Sequence, residues 1–205
     1  PKDDIIDLIT NQVANFIFPF LILVFSVVIH EVAHGSIAHA LGDPTAQKLG
    51  RLTLNPIPHL DPFGSVLLPL IQLFTMGTVF IAWAKPVPYN PYNLRNQRWG
   101  PALVGAAGPL SNLLVAVAFG LFFRFYVLPG TGLAGIVNGT NALATIILVT
   151  IFINISLAIF NLLPIPPLDG SHLLMSLLPY TWDQFRYQLE RYGFFILLAL
   201  LLIMP

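Results

Sequence analysis

The segment His30-Glu31-Val-Ala-His34 holds the side chains of this chain best suited to chemistry. Two histidines four apart on a helix share one face, so both imidazoles reach a single metal ion. Glu31, one residue on, reaches a water activated by that metal and serves as its general base. The chemistry implied is metal-assisted hydrolysis. From Phe16 to Ile29 the only polar side chain is Ser26, so the motif lies inside a membrane helix. An ionised glutamate at the centre of such a helix costs about 2.5–3.5 kcal/mol, and intramembrane charges are usually paired and functional. The competing reading is two satisfied core histidines beside a paired Glu31.

Composition sets the setting. Charged residues are 9% and apolar residues 56% of the 205, and mean hydropathy is +0.80. An ordinary soluble domain is about 25% charged, so the chain reads as a polytopic membrane protein with the lipid bilayer as its solvent. Net charge is zero, which gives no reason to expect a nucleic-acid partner. Cysteine is absent, so metal ligands must come from His, Asp and Glu. Residues 1–15 carry Asp3, Asp4 and Asp7 and do not form the basic n-region of a signal peptide. A start at Pro1 without Met and a stop within an apolar run lead to the expectation that both ends are trimmed.

The elements that must position the motif follow from the apolar runs. Residues 16–41 read as the first spanning helix, ended by Gly42-Asp43-Pro44. Residues 45–54 read as a short surface strand, within a surface and re-entrant region covering 45–100. Residues 65–84 are apolar but broken by Pro69 and Gly77. Residues 101–128 and 140–163 span again, the latter carrying Asn154 and Asn161. Pro164-Ile-Pro-Pro-Leu-Asp169-Gly170 unwinds, because Pro166 and Pro167 cannot sit in a helix interior. Residues 171–178 resume briefly, 180–191 are amphipathic and interfacial, and 192–204 begin a last apolar segment. The expected fold is an all-α polytopic membrane protein, one domain over 1–205. Its core is three spanning helices, with a re-entrant or extended segment and a C-terminal apolar helix.

A catalytic zinc needs a third protein ligand. A third histidine ten residues after His30 would be at position 40, which is Ala40; His39 misses by one, and the one other glutamate is Glu190. Asp169 is the best candidate, since irregular backbone at membrane depth is tolerated where it lines a wet cavity; the alternative is that it caps the helix at 171–178. Topology tests the choice. If 65–84 is re-entrant, three crossings bring the end of the first helix and Asp169 to one side. Lys48, Arg51, Lys85, Arg95 and Arg98 fall on that side too, which marks it as cytoplasmic.

Three stretches, His30-Glu31-Val-Ala-His34, Gly108-Pro109-Leu-Ser-Asn112 and Asn161-Leu-Leu-Pro164-Ile-Pro-Pro-Leu-Asp169-Gly170, resemble the site-2 protease family of intramembrane zinc metalloproteases, in the family's order. The resemblance implies that His30, His34 and Asp169 bind Zn2+, that Glu31 is the base, and that Asn112 and Asn161 lie near the substrate cleft; the competing reading of either amide is a bridge between neighbouring helices. The resemblance also implies single-span membrane proteins as substrates, such as tethered regulators or signal-peptide remnants. The chain leaves no room for the PDZ insertion or regulatory domain that some relatives carry, and this compact form leads to the expectation of a bacterial cell membrane. Oligomeric state, a homo-oligomer included, stays open. The competing classes are a metal transporter and a catalytically inactive relative that binds membrane proteins. Among the remaining histidines, His59 reads as solvated or structural in a Pro-rich loop, and His172 as a cap or interfacial group, with support of the metal ligands as the alternative. Gly108-Pro109 reads as a helix-packing kink.

Overall fold

The computed structural model describes residues 2–76, 83–130 and 141–203, with side chains from Ile17 onward except Tyr180. Helix α1 runs Lys2–Ala40, and its portion Ile17–Ala40 is long and apolar enough to cross a membrane. At 24 residues that portion is about 36 Å long, more than a hydrocarbon core of roughly 30 Å. The chain leaves α1 through Gly42 at φ +110°, a backbone state that disfavours side chains, and Pro44 prevents continuation. Asp43 locks this exit. Its buried carboxylate accepts from the Thr45 amide and hydroxyl, the Asn90 amide and the Asn93 side chain.

Residues 45–54 depart from the expected strand. Thr45–Lys48 is a short helix, α2, and among the described residues no strand occurs at all. The polar start at Asp43 favours a helical turn, and Gly50 at φ +65° then reverses the chain. Arg51 spends its guanidinium on the carbonyls of Lys85 and Pro86 rather than facing a partner strand.

The next apolar segment enters and returns. Asp61 accepts from the amides of Phe63 and Gly64 and starts a wide turn at Pro62–Leu67 that leads into α3, Leu68–Met76. The apolar helical stretch Pro62–Thr75 is about 21 Å long at 1.5 Å per residue, and residues 77–82 of the expected 65–84 segment lie outside the described residues. By Trp83 the chain is back where it left: the Trp83 amide donates to Gly64 O at 3.2 Å, and the Ser65 hydroxyl to Trp83 O at 2.7 Å. A side chain at position 64 would run into the Trp83 ring. Pro86 and Pro88 then hold the residues before them extended. The amides of Trp83, Lys85 and Val87, alternate residues, go to Gly64 O, His59 O and Glu31 Oε2, the period of a strand edge.

Helix α4, Gly100–Phe122, continues through a wider turn to complete the apolar span Gly100–Gly130. Helix α5, Ala142–Asn161, is the third span, with Asn141 capping its start on the Ala144 amide. Helices α1, α4 and α5 pack pairwise. After the unwound prolines come α6, Gly170–Leu177, which packs on α4, and α7, Asp183–Ile203. The amphipathic and apolar segments expected separately after residue 180 form this one helix. Gly193 on α7 lies so close to Pro166 that a Cβ would stand 2.6 Å from its carbonyl.

Candidate metal centre

Helix α1 supplies two buried imidazoles on one face, His30 and His34, with ring centroids 4.6 Å apart. Asp169 arrives from the unwound stretch, with Oδ2 2.9 Å from His30 Nε2 and 3.2 Å from His34 Nε2. Asp169 stands at the N-cap position of α6, yet its side chain makes no capping bond; the carboxylate is turned to the histidines instead. At neutral pH it is an anion.

The other face of each ring fixes what the site accepts. His34 Nδ1 lies 2.6 Å from Val104 O, which only accepts, so Nδ1 carries the proton and Nε2 presents a lone pair. His30 Nδ1 lies 2.6 Å from Asn112 Oδ1. The orientation of Asn112 is itself set, because its Nδ2 donates to Ser26 O and to Asn154 Oδ1. Asn154 is set in turn by donating to Thr150 O and Ser26 Oγ. His30 therefore also donates from Nδ1 and aims a lone pair at Asp169. Three potential ligand atoms, all within 4.8 Å of one another, converge on one point, and with both Nε2 atoms unprotonated a single cation satisfies all three. Ligand atoms 2.0–2.1 Å from a tetrahedral zinc stand about 3.3 Å apart, close to the spacings seen. The residues fit such an ion.

Gly108 on α4 completes the geometry. A Cβ there would sit 2.5 Å from His30 Nε2 and closer still to His34 Nε2, in the space a metal would use. The kink reading of Gly108 thus misses its main feature, close approach to the site. A cavity of about 280 Å3 opens beside the three ligands, lined also by Glu31, Val87, Tyr89, Asn161 and His172. Glu31 Oε2 accepts from the Val87 amide at 2.7 Å, which orients the carboxylate. Burial and the nearby Asp169 charge raise the Tyr89 hydroxyl's pKa, and burial lowers that of His172 despite Asp169. Both side chains are neutral at pH 7 and present hydrogen-bonding groups to the cavity.

Asn161 lies in this cavity, its amide donating to Leu157 O. Asn112 does not. It is fully buried and its oxygen and nitrogen are spent on His30, Ser26 and Asn154, so the expectation that it meets substrate is corrected to a group that orients a ligand. His59 is not solvated: it is fully buried, with Nε2 donating to Thr53 O. His172 faces the cavity rather than an interface. Sequence reasoning assigned no role to Asn154 or Val87. An asparagine in an apolar helix was the one available signal for the former; for a backbone amide there was none.

Imidazoles and a carboxylate converging inside packed spanning helices, beside a second carboxylate oriented by a backbone amide, define a membrane metalloprotease. Comparison with known proteins agrees. Residues 131–204 match the model of Peptidase family M50. The chain is 39% identical over 186 residues to "Putative zinc metalloprotease YwhC" of Bacillus subtilis, covering 90% of this chain and 80% of that one. It is 34% identical over 184 residues to "Putative zinc metalloprotease MJ0611" of Methanocaldococcus jannaschii, 87% and 86% of the two chains. It is 28% identical over 192 residues to "Putative zinc metalloprotease Rip2" of Mycolicibacterium smegmatis, 94% and 69% of the two. No solved structure matches. The chain belongs to peptidase family M50, the site-2 proteases, and is an integral membrane protein.

Proposed function

We propose that the chain is an intramembrane zinc endopeptidase that cleaves the transmembrane segments of single-span membrane proteins. The observation that carries the reading is the convergence of His30, His34 and Asp169 beside Glu31 and a cavity, within membrane-spanning helices. When bound, zinc supplies Lewis-acid activation of water and of the scissile carbonyl. Glu31 takes the proton from the attacking water and delivers it to the leaving amine, its Oε2 steadied by the Val87 amide. Asn112 and Val104 O hold the two imidazoles in the tautomer that leaves Nε2 free. Tyr89, His172 and Asn161 line the cavity and offer donors to the oxyanion.

A peptide bond in a helix is shielded, so the substrate unwinds before cleavage. The edge of Ala84–Val87 serves this step. Lys85 and Val87 spend their amides on the protein, the Lys85 and Pro86 carbonyls accept from Arg51 and Pro86 has no N–H, so pairing centres on Ala84, which makes no backbone hydrogen bond among the described residues. Residues 49–54, the other edge considered, form no strand, and residues 79–82 lie outside the described residues. Lys48, Arg51, Lys85, Arg95 and Arg98 follow the C-terminal end of α1 or precede α4, which supports placing this end of the site at the cytoplasmic face of the cell membrane. Single cysteines at positions 48 and 95 of this cysteine-free chain then label from the cytoplasm alone; labelling from outside reverses the orientation. The activity is tested by incubating the purified protein with single-span peptides. Glu31→Gln keeps the metal and loses cleavage, and cleavage that persists removes Glu31 as the base.

A further inference from the structure

We infer that a second cavity, next to the metal centre and apolar, is a specificity pocket for one substrate side chain, two residues from the cleaved bond. The inference rests on the protease reading above. The cavity, about 120 Å3, is lined by Val24, Val27, Val28, Trp83, Ala84 and Leu157 among others. It shares three walls with the cavity at the metal ligands. On α1, Val27 lies in the pocket and Glu31, four residues on, at the centre; on α5 the same step separates Leu157 from Asn161; on the extended segment, Ala84 is followed two residues later by Pro86. Four helical residues rise about 6 Å, and two extended residues about 6.6 Å. All three walls give the same offset.

That offset is the repeat of side chains on one face of an extended chain. A substrate strand lying along Ala84–Val87 with one residue at Glu31 therefore directs the side chain two residues away into the pocket. The lining dictates its chemistry. Ser65 and His59 also border the pocket, but the Ser65 hydroxyl is committed to Trp83 O and the Asp61 amide, and His59 is fully buried with Nε2 given to Thr53 O. His59 Nδ1 is buried with no hydrogen-bond partner among the described residues and offers one acceptor among apolar walls, so a charged side chain entering would lose its hydration for at most one hydrogen bond. At about 120 Å3, below the roughly 150 Å3 of a cavity that admits benzene, the pocket suits a branched aliphatic side chain and leaves alanine under-packed.

The full-length, zinc-loaded chain in detergent is given a library of synthetic single-span peptides randomised across their central residues, and cut positions are mapped by mass spectrometry. Leu, Ile or Val is expected to be enriched two residues from the cut on one side. Leu157→Phe, which narrows the pocket, shifts that preference to smaller residues, and Leu157→Ala shifts it to larger ones. Each shift is about tenfold in kcat/KM per methylene-sized mismatch, with zinc content unchanged in both variants. Val24→Leu narrows the same pocket from α1 and repeats the test on a second wall. Cleavage with no preference at that position, or a preference that these variants leave unmoved, overturns the pocket while leaving the protease reading intact. No cleavage of any peptide by the zinc-loaded wild type overturns both.

Discussion

Replacing Gly108 by alanine adds a single methyl group, and the structure predicts that it empties the metal centre. The new Cβ stands 2.5 Å from His30 Nε2 and nearer to His34 Nε2. Relief to an ordinary 3.4 Å contact needs a shift of about 0.9 Å, against a tolerance of roughly 0.2 Å in metal–ligand distances. Helix α4 cannot yield freely, because Val104 O and Asn112 Oδ1, on either side of Gly108, hold His34 and His30 at 2.6 Å. Either the rings turn away or one of these bonds breaks. Loss of one orienting bond costs roughly 10–100-fold in metal affinity. Gly108→Ala should therefore bind zinc at least about tenfold more weakly, measured by metal analysis and competition with a chelator. Gly120→Ala on the same helix is the control, since a Cβ there meets nothing within 4 Å. It should keep its zinc and gain up to about 1 kcal/mol of helix stability. A Gly108→Ala protein with wild-type zinc affinity would refute the geometry.

Two further outcomes follow from the polar networks. Asn112→Leu strips the acceptor from His30 Nδ1 and the donor from Ser26 O, so zinc affinity should fall about 10–100-fold; unchanged affinity by chelator competition counts against the orienting role. Burial raises the Asp43 carboxyl, but hydrogen bonds from Asn93, Thr45 and Asn90 prevail and hold its pKa below the ordinary 3.8. A depressed folded value contributes stability that is full above the unfolded pKa and lost as pH falls through the folded one. Thermal unfolding in detergent should show Asp43→Asn less stable at pH 7 and its deficit shrinking below about pH 4; a deficit constant with pH argues against the network.

How much was legible in the sequence depends on how local each feature is. The spans follow from runs of apolar residues, and the re-entrant reading of 65–84 from the need to bring the end of the first helix and Asp169 to one side. The pairing of His30 and His34 follows from helical spacing, and Asp169 from the scarcity of other acids. Gly108 was opaque because a glycine's value lies in what stands opposite it, here two rings 74 and 78 positions earlier. Asn112 was misread because an amide in an apolar helix faces a neighbouring helix or a substrate with equal ease. His59 sits in a proline-rich loop that reads as exposed; the return of the chain at Trp83 and Lys85 buries it. The apparent strand at 45–54 had the alternation but no partner, and Asp43 turned its start into a helix.

The most direct test of the central claim is the zinc content of the purified full chain, wild type beside Asp169→Ala. Metal analysis should find one zinc per wild-type chain, and a clear loss in the variant, since Asp169 is the anionic member of the triad that converges within 4.8 Å. Stoichiometric zinc that survives Asp169→Ala would contradict the three-ligand centre, and a wild-type chain that takes up no zinc on supplementation would contradict the metalloprotease account itself.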